Sequence, residues 1–73
     1  MYINPRKAKS YKNMNTYGSV AIAEGFSGED NTEKEIQCAW QYIIDKKLYL
    51  QLQGWFGRTA SQLIDNGICL PPR

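Results

Sequence analysis

Histidine is absent from this 73-residue chain, and with it the commonest general base and a frequent metal ligand. Cysteine occurs twice, as Cys38 and Cys69, and in no C-x-x-C unit. A zinc site would therefore have to borrow carboxylates, a poor donor set for that ion. No apolar run is long enough to span a bilayer, and no apolar stretch of signal-peptide type follows the basic N-terminus. No serine stands in a G-x-S-x-G elbow, and no glycine-rich loop leads into a lysine at P-loop spacing. These absences lead us to expect no enzyme, no metal, no cofactor and no membrane span. Free thiols in a reducing cytosol are the expected state of the two cysteines.

The length allows one domain with a small core, for which self-association would add stability. A hydrophobic fraction of 42% and a charged fraction of 22% match an ordinary globular domain and argue against disorder throughout. The net charge of +2 names no partner, but its distribution is uneven. Residues 1–17 carry Arg6, Lys7, Lys9 and Lys12 without a single acid. Residues 24–35 then hold Glu24, Glu29, Asp30, Glu33 and Glu35 against Lys34 alone. A basic head followed by an acidic patch can pair internally or serve two partners.

Residues 1–17 show neither helical nor strand periodicity, and Pro5 with several asparagines and lysines predicts an extended basic arm. Two readings of it stay open: a solubilising tail, or an arm that orders on a partner through Lys7, Lys9, Lys12 and the interleaved tyrosines. The domain proper is expected over residues 18–70. It opens over 19–25 with a short helix, with Ser19 as N-cap, Gly25 as terminator, and Val20 meeting Ala23 and Ile22 meeting Phe26, although the alternation of Val20 and Ile22 also permits a strand. A loop follows over 26–31.

The clearest helix spans 33–47. Thr32-Glu33-Lys34-Glu35 is a capping box, which explains the paired glutamates better than acid catalysis does. Ile36, Ala39, Trp40, Ile43 and Ile44 then recur at the spacing of one buried stripe. Residues 48–53 alternate like a strand, yet lack an obvious partner, so a bent continuation of the helix is preferred. The last helix begins at 55–57 and runs to Asp65, with Phe56, Ala60, Leu63 and Ile64 in phase. Asn66-Gly67 ends it, Ile68 folds back on Leu63, and Pro71-Pro72 cannot continue it. The expected fold is all-α: a small bundle of two main helices plus a short N-terminal helix.

Two surfaces stand out. Gly54-Trp55-Phe56-Gly57-Arg58 places two aromatics between glycines that would let the chain turn. Phe56 is in phase with the core, whereas Trp55 is either a core lid or, beside Arg58, an interface anchor. On the capped helix, Cys38 and Tyr42, with Tyr49 beyond it, fall on the side away from Ile36, Trp40 and Ile43. Either the N-terminal segment or the 19–26 segment covers them, or a partner does, including a second copy in a homodimer.

The run Leu50-Gln51-Leu52-Gln53-Gly54-Trp55-Phe56-Gly57-Arg58-Thr59-Ala60, followed by Leu63-Ile64-Asp65-Asn66-Gly67, resembles a family of very short bacteriophage-encoded proteins. Their shared pattern reads L-x-L-Q-G-aromatic-aromatic-G-R-x-A-x-x-L-I-x-x-G, and the likeness extends over residues 20–69, including Ala39-Trp40-Gln41-Tyr42-Ile43-Ile44-Asp45. Typical members have Thr-Gly where this chain has Lys46-Lys47. The resemblance carries no functional residue; it implies a phage or prophage accessory gene, a class often directed against host machinery or defence.

The functional expectation is a non-enzymatic phage or prophage protein that binds and inhibits a bacterial host protein or defence complex, in the manner of an anti-CRISPR, in the host cytoplasm. Its expected contact residues are Trp55, Arg58, Tyr42, Tyr49, Lys7, Lys9 and Lys12. The alternative is a small DNA-binding regulator whose basic arm neutralises phosphate while Thr59, Ser61, Gln62 and Asn66 reach base edges. The connector is longer than a helix-turn-helix turn, and Arg58 is the last helix's only cation.

Overall fold

The computed structural model describes residues 1–25 and 31–72. The contact of Ile22 with Phe26, the loop over 26–30 and the contributions of Glu29 and Asp30 lie outside the described residues. Among those described the chain is helical and no strand forms. Its α-helices are α1 (Lys9–Lys12), α2 (Thr16–Glu24), α3 (Glu33–Asp45) and α4 (Gly54–Asp65). Two 3₁₀ turns, Pro5–Lys7 and Leu48–Leu50, complete the order.

Helix α3 is the centre. The Thr32 hydroxyl accepts from the Glu35 N–H at 3.1 Å, and the Glu35 carboxylate accepts from the Thr32 N–H at 3.0 Å, the reciprocal cap expected. Ala39, Trp40, Ile43 and Ile44 are buried, but Ile36 is 39% exposed, at the edge of the core beside a small cavity it lines with Trp40, Leu63 and Ile68. Phe56, Ala60 and Cys69 join Trp40, Ile43 and Ile44 in that core, with Leu52, Leu63 and Ile68 packed on its rim.

The N-terminal segment departs most from expectation. It is not an extended arm: Pro5 and Ala8 are buried, and the segment lies against α3 through tertiary contacts invisible to local periodicity. The 17/18 division falls inside α2, which starts at Thr16 under an Asn15 cap whose side chain accepts from Gly18 N–H. Ser19 is therefore no N-cap. It is buried in mid-helix and donates to the Thr16 carbonyl at 3.0 Å. Gly25 ends α2 in the left-handed conformation at φ 81°, as its position predicted.

Helix α3 stops at Asp45, two residues short of expectation. Lys47 takes φ 56°, which turns the chain off the helix axis, so 48–53 is a 3₁₀ turn and connector rather than a bent continuation. Gly54 and Gly57 are both helical residues of α4, not the flexible brackets of a turn. Trp55 and Phe56 thus diverge by ordinary helical geometry. At the other end the stop signal holds: Gly67 has φ 75°, Ile68 N–H donates to Leu63 O at 2.9 Å and Gly67 N–H to Ile64 O at 3.0 Å. This cap sends residues 68–71 back along α3.

Candidate functional site

A buried polar ladder on α3 holds both ends of the chain. Gln37, Gln41 and Asp45 recur every fourth residue, hence on one face. The Gln37 amide donates to Tyr2 O at 2.9 Å and Ile68 O at 2.7 Å and accepts from Tyr2 N–H at 3.0 Å. Gln41 accepts from Leu70 N–H at 2.7 Å and donates to Leu70 O at 3.0 Å and to Asp45 Oδ1 at 3.1 Å. Arg6 donates Nε and Nη2 to the two Asp45 oxygens, each at 2.7 Å, and Nη2 also donates to Pro71 O. The Tyr11 hydroxyl donates to Asp45 Oδ2 at 2.7 Å. Burial pushes the Asp45 carboxyl up, but hydrogen bonds from Arg6, Tyr11 and Gln41 outweigh it and hold it below the ordinary carboxylate range. The Asp45 pair raises Arg6 in turn, against its own desolvation.

This ladder escaped the sequence reading. Its signal was present as Gln-x-x-x-Gln-x-x-x-Asp, but glutamine on a helix normally marks a solvated face. Of the basic head, Arg6 is consumed here, while Lys7, Lys9 and Lys12 remain exposed beside it.

The second expected face is closed by the same segment. Cys38 is fully buried with its thiol 3.9 Å from Pro5 O, and the half-buried Tyr42 ring lies 6.1 Å from the Tyr11 ring. Lys46 Nζ stands 5.7 Å over the Tyr42 ring. Tyr49 is half-buried against the core. The open Cys38–Tyr42 face that suggested a homodimer is thus covered from within the chain. Both cysteines are free thiols; burial raises the Cys38 pKa and pushes Cys69 up to about 12, which makes neither a ready nucleophile.

Trp55 is half-buried, its ring stacked 4.0 Å from Phe56 and set edge-on to Trp40 at 6.1 Å. It borders a concavity of about 420 Å³ shared with Glu24, Gln53 and Leu52. Arg58 is exposed and lines a broad groove of about 730 Å³ with Tyr49, Leu50 and, again, Leu52. The fold therefore gathers Trp55, Arg58 and Tyr49 around the connector. It leaves Tyr42 and the three lysines on the α1 side.

One exposed feature was not singled out in the sequence as a helix face. Tyr17 belongs to α2 rather than to an arm and is 86% exposed. With Val20, Ala21 and Glu24 it borders an apolar concavity of about 510 Å³. The available clue was that 16–23 contains no charge, so α2 has no polar face to offer water. No protein-family model matches the chain, and no curated protein or solved structure matches it either.

Proposed function

We propose that this chain is a non-enzymatic binding protein of phage or prophage origin that docks on a bacterial host protein or defence complex, in the host cytoplasm, and inhibits it. The observation that carries the reading is the outward side of α2, where the 86% exposed Tyr17, with the half-buried Ala21 and Val20, borders an apolar concavity on a helix whose other side, Val20 included, already packs on the core and α3. A helix apolar on both sides is built to be covered on both. Chemistry offers little competition: the chain has no histidine, and Asp45 is committed to Arg6 and Tyr11. The origin rests on the sequence resemblance, and the compartment fits two free thiols.

The test is affinity capture from bacterial lysate with the native chain and with Tyr17→Ala and Tyr17→Asp, each repeated after nuclease treatment. A protein retained after nuclease and lost with either variant is the expected result. Tyr17 is exposed enough for its truncation to leave the fold intact. Salt-sensitive binding to duplex DNA that depends on Lys7, Lys9 and Lys12, with no protein retained, would instead establish the DNA-binding regulator.

A further inference from the structure

Resting on the host-binding reading above, we propose that the α2 surface continues past Glu24 to Trp55 and takes a protein segment whose basic side chain meets Glu24 between two apolar neighbours. The partner is thereby given a chemistry: a cation flanked by apolar groups, on a polypeptide.

Glu24 joins two concavities. It lines the apolar one of about 510 Å³ together with Tyr17, Val20 and Ala21, and the one of about 420 Å³ together with Leu52 and Trp55. The two therefore meet at the last residue of α2. Tyr17, Val20, Ala21 and Glu24 follow at i, i+3, i+4 and i+7, so helical geometry alone puts them on one face, with Tyr17 and Glu24 ~10 Å apart along the axis. Every other residue lining either concavity is uncharged, which leaves Glu24 as the one charge on a continuous surface.

That charge is badly placed for the chain by itself. Glu24 stands in the last turn of α2, at the negative end of the helix dipole, and no basic residue shares that turn. It is exposed and makes no ion pair among the described residues. In the free protein the carboxylate opposes the dipole and gains no contact in return. A cation from outside would satisfy the carboxylate and the helix end together. Arriving between the Tyr17 and Trp55 concavities, it would be flanked by apolar groups. Arginine fits better than lysine, because its planar guanidinium binds a carboxylate through two bonds and is less strongly hydrated. Nucleic acid is disfavoured here, since no lysine or arginine lines either concavity to meet a phosphate.

The experiment selects a random dodecapeptide library on the immobilised full chain and on Tyr17→Ala, Glu24→Gln and Glu24→Lys. The native chain should enrich peptides with arginine or lysine between apolar residues, and Glu24→Lys should turn that preference to acidic residues. An enriched basic peptide, synthesised, should bind Glu24→Gln about tenfold more weakly than the native chain and lose affinity as salt is raised. In an NMR titration it should shift the Glu24 amide and the Trp55 indole N–H. Glu24→Gln should melt no lower than the native chain, since it removes an acid opposed to the helix dipole. Enrichment without a basic preference, or a basic preference that survives Glu24→Lys, overturns the proposal; dependence on Tyr17 would then still support the host-binding reading. A Trp55 indole that does not move confines the surface to α2 and overturns its extension. No enriched peptide also overturns the proposal, and lysate capture then decides the host-binding reading separately. Basic peptides that bind Tyr17→Ala as well as the native chain count against both.

Discussion

Replacing Asp45 by alanine removes the carboxylate on which the N-terminal segment converges. Its side chain is 2% exposed and that of Arg6 17%, so the two form a largely desolvated pair with two bonds of 2.7 Å, not a surface contact. Truncating one member strands the other. The expected cost is ~3–5 kcal/mol, set against a total stability on the order of 4–11 kcal/mol for a chain of this length. The Tyr11 hydroxyl and Gln41 amide lose their acceptor as well. Urea unfolding of the native protein, Asp45→Ala, Arg6→Ala and the double variant gives the coupling energy, provided the m-value is shared. A coupling of ~2 kcal/mol or more is expected. A single-variant cost below ~1 kcal/mol, the size of an exposed pair, would refute the docked segment.

The same group sets an acid dependence. Its folded pKa lies below the ordinary 3.8, so its contribution is complete above that value and is lost as pH falls through the lower folded pKa. Asp45→Asn should lack this part of the acid destabilisation, read as a convergence of the two proteins' stabilities at low pH. Phe56→Ala should cost ~3–5 kcal/mol, whereas Trp55→Ala, half-buried but stacked on Phe56, should cost about 1–3 kcal/mol in the same melts. Equal losses would make Trp55 a full core member. Lys47→Gly should stabilise by about 0.5–1 kcal/mol, since it relieves a left-handed lysine at φ 56°; destabilisation would contradict that backbone. Gln41→Leu should cost ~1–3 kcal/mol by orphaning the Leu70 N–H, with faster amide exchange at Leu70 as the check.

What could be read from the residues was what local physics decides. The capping box before α3, its stripe from Ala39 to Ile44 and the Asn66-Gly67 stop are all short-range signals, and each stands where it was expected. The helical class followed from them. The N-terminal segment was misread because its order comes from bonds such as Arg6 to Asp45 and Tyr2 to Gln37, more than thirty residues apart. Gly54 and Gly57 were read as hinges from composition, but packing of Phe56 and Ala60 holds that stretch helical despite a propensity cost of about 1 kcal/mol per glycine. Alternation over 48–53 carried no strand, because one left-handed residue redirects the chain instead. Of the expected contact residues, Trp55, Arg58 and Tyr49 share the connector for the same reason: the turn at Lys47 brings the start of α4 back beside it. Tyr17 is legible in the sequence only as one of the tyrosines interleaved in a basic arm, because an uncharged segment without a capping box gives no sign of a helix with an outward face.

Everything assigned to the outer surfaces depends on residues 1–17 being part of the folded body rather than a free basic arm. Amide hydrogen exchange tests this directly. The Ala8 N–H bonds to Pro5 O at 3.0 Å, Asn13 N–H to Lys9 O at 3.0 Å and Tyr2 N–H to the Gln37 side chain at 3.0 Å. Exchange at Ala8 and Asn13 should be slower than in an unstructured peptide, and Asp45→Ala should abolish that protection while leaving α3 protected. Free-peptide rates across residues 2–13 in the native protein, with α3 still protected, would contradict the docked segment and return Lys7, Lys9 and Lys12 to a mobile arm.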